Sequence, residues 1–355
     1  MMRNVSDLFV SLDATLRDVL TRSEETRHGI VLIVDSGNRL RGVITDGDIR
    51  RAFLARIDLD TPVRAFLEKK SVGAPVTAPI GTQHAELVEL LRASGVSHIP
   101  LVNVSGQVEK LVGLEDLLQE DEKALQAVVM AGGRGTRLHP LTAELPKPML
   151  PVGDRPLMER IIRRLSDAGV RDVSITTHYR AEKIVEHFGN GKQFGVNLSY
   201  VPEEELLGTA GGLALMPPPT SALLVINGDI LTEMDFRAML AFHREHAATL
   251  TLAVRQFEFQ VPYGVIESDG AFVRQLVEKP AHKFFVNAGI YLLEPAAHGV
   301  IPKGRHFDMT DLIKTCLDEG LPVVSFPIWE YWRDIGRHDD YAQAQVDVNN
   351  GTVSR

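Results

Sequence analysis

Val128-Val-Met-Ala-Gly-Gly-Arg-Gly-Thr-Arg-Leu-His-Pro-Leu-Thr142 runs an apolar strand directly into a glycine-rich loop, and Leu145-Pro-Lys-Pro-Met-Leu-Pro151 follows on a proline-stiffened segment. Glycines at 132, 133 and 135 let the backbone turn tightly and aim N–H groups inward, which makes an anion nest. Arg134 and Arg137 lie within the loop and Lys147 just after it, so a polyphosphate would meet both planar forks and a point charge. A dinucleotide fingerprint would need a third glycine where Leu138 stands, and a P-loop would need Gly-Lys-Ser/Thr at its end. A plain tight turn would explain the glycines but not the cations spaced around them. The loop therefore predicts phosphate binding.

Outward from the loop, apolar runs at 127–130, 173–177, 198–201 and 223–226 alternate with helical patterns at 156–165, 181–188 and 234–242. Such βαβ alternation predicts a mostly parallel sheet with helices on both faces. From 249 onward strands dominate, 284–293 most clearly, before helices near 309–318 and 338–346; this later region is expected to hold the acceptor. Leu223-Leu-Val-Ile-Asn-Gly-Asp229 ends a buried strand in a carboxylate, the place where α/β folds put ligands. Tyr331-Trp-Arg-Asp-Ile-Gly336 presents a second isolated carboxylate, and Gly208-Thr-Ala-Gly-Gly-Leu213 opens a helix behind Glu203-Glu-Glu205. His243-Arg-Glu-His246 puts two histidines one turn apart with no third ligand in view, so a solvated helix face is expected there.

The glycine loop, the Pro-Lys-Pro that follows it and these later motifs in order resemble the sugar-1-phosphate nucleotidyltransferases over about residues 126–348. That resemblance implies a Rossmann-like, GT-A-like α/β domain with a mixed sheet. It implies nucleotide contacts from Ala131, Gly132, Gly133, Gly135, Thr136, Arg137, Lys147, Glu203, Gly208 and Thr209, with Arg137, Lys147 and Asp229 catalytic. Asp229 and Asp334 match the family's two aspartates that hold Mg²⁺. Magnesium suits one or two carboxylates together with phosphate oxygens and water. Pro262-Tyr-Gly264, Val277-Glu-Lys-Pro280 and Val286-Asn-Ala-Gly-Ile-Tyr291 match the segments that line the sugar-phosphate pocket, which assigns Gly264, Glu278, Lys279 and Asn287 to the acceptor. Read alone, Glu278-Lys279 is an ordinary surface pair. Glu203 could accept from N1–H and N2–H2 of guanine, which favours GTP.

The first 120 or so residues contain an internal repeat. A shift of 68 places Gly29-Ile-Val-Leu-Ile-Val-Asp35 on Ser97-His-Ile-Pro-Leu-Val-Asn103, and 40–49 on 108–117 without a gap. Upstream, a shift of 71 matches Leu16, Val19 and Leu20 to Leu87, Leu90 and Leu91, which predicts a helix-to-strand loop of different length in the two copies. Each copy reads as helix, strand, turn, strand, helix. One copy of ~50 residues is marginal alone, so the pair is expected to pack face to face. The pattern, above all Gly42-Val-Ile-Thr-Asp-Gly-Asp-Ile-Arg50, resembles a tandem pair of cystathionine-β-synthase (CBS) domains, an α+β module over 1–122 with copies at about 8–57 and 74–120. In that family the hydroxyl and the aspartate three positions on, here Thr45 and Asp48, hold a nucleotide's phosphate and ribose. The second copy keeps Asp116 but has Gly113 in place of the hydroxyl, so one purine nucleotide per pair is implied. The plain alternative is a dimerising spacer in which Thr45 and Asp48 cap a helix.

Composition sets the outer bounds. The chain has 355 residues, 44% hydrophobic and 24% charged, with net charge −9, so neither a disordered chain nor a broad basic surface for nucleic acid fits. No apolar run reaches the ~20 residues of a membrane helix, Cys316 has no disulfide partner, and the start lacks a signal-peptide core. A cytoplasmic chain that meets no membrane, and a homo-oligomer, are expected. A CBS pair before such a transferase resembles the guanylyltransferases of bacterial surface-sugar pathways, among them those that activate glucosamine 1-phosphate toward legionaminic acid. Mannose- or heptose-type acceptors, and UTP, dTTP or CTP as donor, stay open. The rival from another class is a non-catalytic nucleotide-binding regulator, whose mark would be the loss of Arg137, Lys147, Asp229 or Asp334.

Overall fold

The computed structural model describes residues 5–69, 74–113 and 125–353. The chain divides into two compact units, Met1–Ala124 with Arg237–Ala247, and Leu125–Phe236 with Ala248–Arg355.

In the first unit two three-stranded sheets repeat one plan. Phe9–Ser11 pairs in parallel with Ile30–Val34, which pairs antiparallel with Leu40–Thr45. Ala78–Pro79, His98–Val102 and Val108–Gly113 do the same. Ile30–Val34 is buried along its whole length, as its unbroken apolar run requires. Leu8, Ile30 and Leu32 of the first copy share a core with Val108 and Leu111 of the second, so the copies pack against each other. Their turns also meet: Arg39 bridges Gln107, its own equivalent under the shift, and the Gln107 amide donates to the Gly37 carbonyl at 2.8 Å.

The repeat has one shift, not two. Helix Leu16–Thr26 maps onto helix His84–Ser94 by 68 residues at both ends, and the left-handed caps Arg27 and Gly95 correspond as well. Buried Val19 and Ser23 fall on buried Leu87 and Leu91. The expected shift of 71 for this helix is thus corrected, and the helix-to-strand loops are equal in length. A three-residue slip deceives because residues three apart lie on the same helix face. Asp116 and the helix expected after Gly113 lie outside the described residues.

The second unit is built on a seven-stranded mixed sheet. Its order is Asn197–Pro202, Asp172–Thr177, Gln126–Met130, Leu223–Asn227, Ala281–Leu293, Leu250–Gln260, Val323–Ile328. The first four strands are parallel, Ala281–Leu293 runs against both its neighbours, and Val323–Ile328 is parallel to Leu250–Gln260. Gln126–Met130 is flanked by Asp172–Thr177 on one side and Leu223–Asn227 on the other, so the strand order reverses there. A crevice opens at the carboxyl ends of strands at such a point. Val128 and Val129 are fully buried, which explains why this strand reads as an uninterrupted apolar run. Among the described residues no helix is long and apolar enough to cross a membrane.

His243 is buried, contrary to the solvated face expected of its helix, while His246 stacks on Phe242 with ring centroids 4.1 Å apart and its Nδ1 lies 2.8 Å from the Phe242 carbonyl. The segment containing both belongs to the first unit, and its helix has a packed face that two histidines alone did not reveal.

Candidate active site

A cavity of about 350 Å³ lies at the carboxyl ends of Gln126–Met130 and Leu223–Asn227. One wall is the glycine loop. Met130 hands the chain to Ala131, whose N–H donates to the Thr176 carbonyl at 3.1 Å. Beyond it the N–H groups of Gly132, Gly133 and Gly135 have no acceptor among the described residues, which leaves them for a ligand's oxygens. Gly135 adopts φ 63°, and a Cβ there would lie 3.0 Å from Lys147 and from Thr142. Thr136–Leu138 forms a single 3₁₀ turn, and Leu138 anchors it in a core with Leu150, Leu157, Leu231 and Ile335. Gly132, Gly133, Gly135, Thr136, Arg137 and Lys147 all line the cavity.

The carboxylates come from a short two-stranded ladder. Ile230–Thr232 pairs antiparallel with Trp332–Asp334, placing Ile230 opposite Asp334, and the Ile335 N–H donates to the Asp229 carbonyl at 3.0 Å. Buried Leu231 and Ile335 hold the ladder from behind. Lys147, itself buried, forms an ion pair with Asp229. Solvent reaches Asp334, yet partial burial, and next the charge of Asp229, raise its carboxyl pKa above the ordinary value; Lys147 and Arg137 pull the other way. Asp229 and Asp334, the first paired with Lys147, form an oxygen-rich set that suits a small hard cation. Magnesium fits these residues.

Glu203 packs against the glycine loop, buried, its Oε2 accepting from the Leu207 N–H at 3.2 Å. A Cβ on Gly132 would come within 2.9 Å of its Oε1, and one on Gly212 within 3.0 Å, so both glycines leave room for the carboxylate. Gly208 adopts φ 82° and Thr209 follows it at the rim. The Thr209 N–H and hydroxyl donate to Asp308 Oδ1 at 2.9 and 3.2 Å, while its oxygen accepts from the Met309 N–H at 2.8 Å. The Phe307 carbonyl accepts from Ala210 and Gly211. The 208–211 turn is therefore tied to a segment a hundred residues away.

Sequence reading missed several wall residues. Leu206 and His306 flank Gly208, and Asn227 faces the cavity beside Asp229. Among the described residues the buried Oδ1 of Asn227 has no hydrogen-bond partner, an acceptor left for a bound group. Its place at the end of a buried strand was the available signal; nothing local marks His306.

The structure does not bring the four expected acceptor residues into this cavity. Gly264, Glu278 and Lys279 are exposed on an arm, with a Cβ on Gly264 lying 3.0 Å from Glu278 Oε2. Asn287 stands at the arm's root, where its amide donates to the Tyr291 hydroxyl at 2.8 Å and its carbonyl accepts from the Gly289 N–H at 3.0 Å. Burial pushes the Tyr291 hydroxyl up to about 12, so it stays protonated. In the first unit, Thr45 and Asp48 form a reciprocal cap on helix Asp46–Leu54, and Arg51 pairs with Asp48 at 2.6 Å.

The family model described as nucleotidyl transferase matches residues 126–351, and that described as CBS domain matches residues 1–55. Mannose-1-phosphate guanylyltransferase of Mycobacterium tuberculosis is 32% identical over 236 residues, 64% of this chain and 65% of its own length. UTP--glucose-1-phosphate uridylyltransferase of Synechocystis sp. is 32% identical over 241 residues, 62% of each chain. The chain thus spans a little under two thirds of the length of these curated relatives. Among solved structures, HddC from Yersinia pseudotuberculosis complexed with GMP-PN superposes with a TM-score of 0.50 at 25% identity, covering 63% of this chain and 99% of that one.

Proposed function

The chain belongs to the nucleotidyl transferase family, and on that premise we propose that it transfers a nucleoside monophosphate from a nucleoside triphosphate to a sugar 1-phosphate. The observation that carries this reading is the cavity lined by the glycine loop, Arg137, Lys147 and Asp229, with Asp334 on the strand paired beside it. None of the residues whose loss would mark a non-catalytic regulator is missing.

In the reaction an oxygen of the sugar phosphate attacks the α-phosphorus in line. A new P–O bond forms, the α–β P–O bond breaks, and pyrophosphate leaves with the electron pair. The attacking oxygen is already ionised near neutral pH, so no general base is needed. Gly132, Gly133 and Gly135 cradle the phosphates, and Arg137 and Lys147 offset the charge that moves onto the leaving group, the dominant kind of catalysis in phosphoryl transfer. Asp229 and Asp334 would hold Mg²⁺, which when bound supplies positive charge to the phosphate oxygens.

The donor we favour is GTP. Glu203 can accept two hydrogen bonds from guanine, and two of the relatives above are a guanylyltransferase and a protein complexed with GMP-PN. The uridylyltransferase is equally similar in sequence, so the case for guanine rests on Glu203. Glucosamine 1-phosphate is the acceptor we place first, with mannose 1-phosphate fitting equally well. Gly264, Glu278, Lys279 and Asn287 are assigned to it, and a purine nucleotide is assigned to Thr45 and Asp48. A pyrophosphate-release screen of all nucleoside triphosphates against a panel of sugar 1-phosphates tests the whole reading. Turnover with GTP and one sugar phosphate is expected; no release with any pair would overturn it.

A further inference from the structure

Helix Phe236–Glu245 lies in the second half of the sequence, yet from Arg237 on its residues belong to the first unit. Its last residue reaches the helix that Thr45 caps. Arg51 Nη1 donates to Glu245 Oε1 at 2.7 Å and Arg51 Nη2 to Asp48 Oδ1 at 2.6 Å, so one guanidinium joins two carboxylates. The other Asp48 oxygen accepts from the Thr45 N–H at 2.9 Å and from the Thr45 hydroxyl at 3.1 Å. Asp48 is buried, so a ribose diol reaches it only when a neighbour moves.

The second oxygen of Glu245 lies over Gly47, in the first turn of helix Asp46–Leu54. A Cβ on Gly47 would come within 2.6 Å of Glu245 Oε2. No left-handed φ calls for glycine at this position, and within a helix glycine costs about 1 kcal/mol against alanine. What the missing side chain gives is room, and a carboxylate from 194 residues along the chain fills it. The first turn of a helix offers unpaired N–H groups and the positive end of its dipole, an environment that suits a carboxylate and a phosphate alike.

We infer that Glu245 is a built-in competitor for the nucleotide assigned to Thr45 and Asp48. Its carboxylate takes the phosphate's place on the first turn of helix Asp46–Leu54. A nucleotide binds by expelling it, which releases Arg51 and frees the last turn of helix Phe236–Glu245. The inference rests on the nucleotide assignment proposed above. The side chains of Arg51 and Glu245 are 36% and 39% exposed, and an ion pair that open to water is weak enough for a ligand to break. Phosphate and carboxylate repel each other, so the two do not share the place.

Calorimetry with AMP and with GMP on full-length wild type, Glu245→Ala and Glu245→Gln tests this, with Thr45→Ala marking which heat belongs to the first unit. Both Glu245 variants should bind about fivefold more tightly than the wild type, the most that an exposed ion pair is worth. In the wild type the bound nucleotide should also speed amide exchange at His246 and Ala247, whose N–H groups close the helix end on the Phe242 and Arg244 carbonyls. In Glu245→Ala that exchange should be fast from the start. Equal or weaker binding by the variants would overturn the competitor, as would exchange at 246–247 that bound nucleotide leaves unchanged. If no protein shows heat that Thr45→Ala abolishes, the nucleotide assignment itself falls, and the competitor with it.

Discussion

In the loop at 131–137 each turn of backbone is fixed by a neighbour: Gly132 by Glu203, Gly135 by Lys147 and Thr142, and the exit by Leu138 in the core. In the arm at 257–284 the only backbone pairing among the described residues is between its own strands. The two regions serve one reaction in the proposed function, but the first is assembled by packing within the unit, whereas the second leans on its own ladder.

The largest expected effect lies on the packed side. Asp229→Asn should lower kcat by about a thousandfold, the several kcal/mol a metal ligand set supplies, with the circular-dichroism spectrum unchanged, and EDTA should stop turnover of the wild type. Near-normal turnover would remove Asp229 from the chemistry. Next, Lys147→Ala and Arg137→Ala should each cost about 10²–10³ in kcat/KM for the triphosphate, as loss of a transition-state contact does; if they do not, the loop merely shapes the cavity. Glu203→Gln should cost GTP roughly tenfold more than UTP, about one hydrogen bond to a charged group, and an equal loss for both nucleotides would show that Glu203 does not read the base. The smallest effect belongs to the first unit. Thr45→Ala removes a helix cap and should cost about 1 kcal/mol in the unfolding of that unit, while calorimetry with purine nucleotides should show binding by the full chain and none by the variant.

What could be read in advance was local. The glycine loop, Lys147 and the strand ending at Asp229 declare themselves because a strand, a turn and a charge within twenty residues constrain one another. The parallel half of the sheet followed from its alternation of runs. The pairing of Thr209 with Asp308 spans 99 residues, and no pattern announces it. The course of the arm was equally hidden, because the strand-like runs from 249 onward, 284–293 most clearly, do not say where their pairing stops. In the repeat, helical periodicity concealed the true register, since a slip of three residues preserves the buried face.

Arg39 and Gln107 meet each other across the first unit although they are the same position of two copies. Each follows a turn closed in the same way: the Gly37 N–H donates to Asp35 Oδ1 and the Ser105 N–H to Asn103 Oδ1, both at 2.9 Å. A residue that touches its own counterpart lies on a local symmetry axis, and only equal loop lengths on both sides keep it there. Inserting or deleting one residue in either turn would carry one of the two off the axis and misalign the shared core. Substitution in these turns is therefore cheap and a change of length is not, which lets the copies drift apart chemically, with Thr45 in one and Gly113 in the other, while their geometry stays locked together.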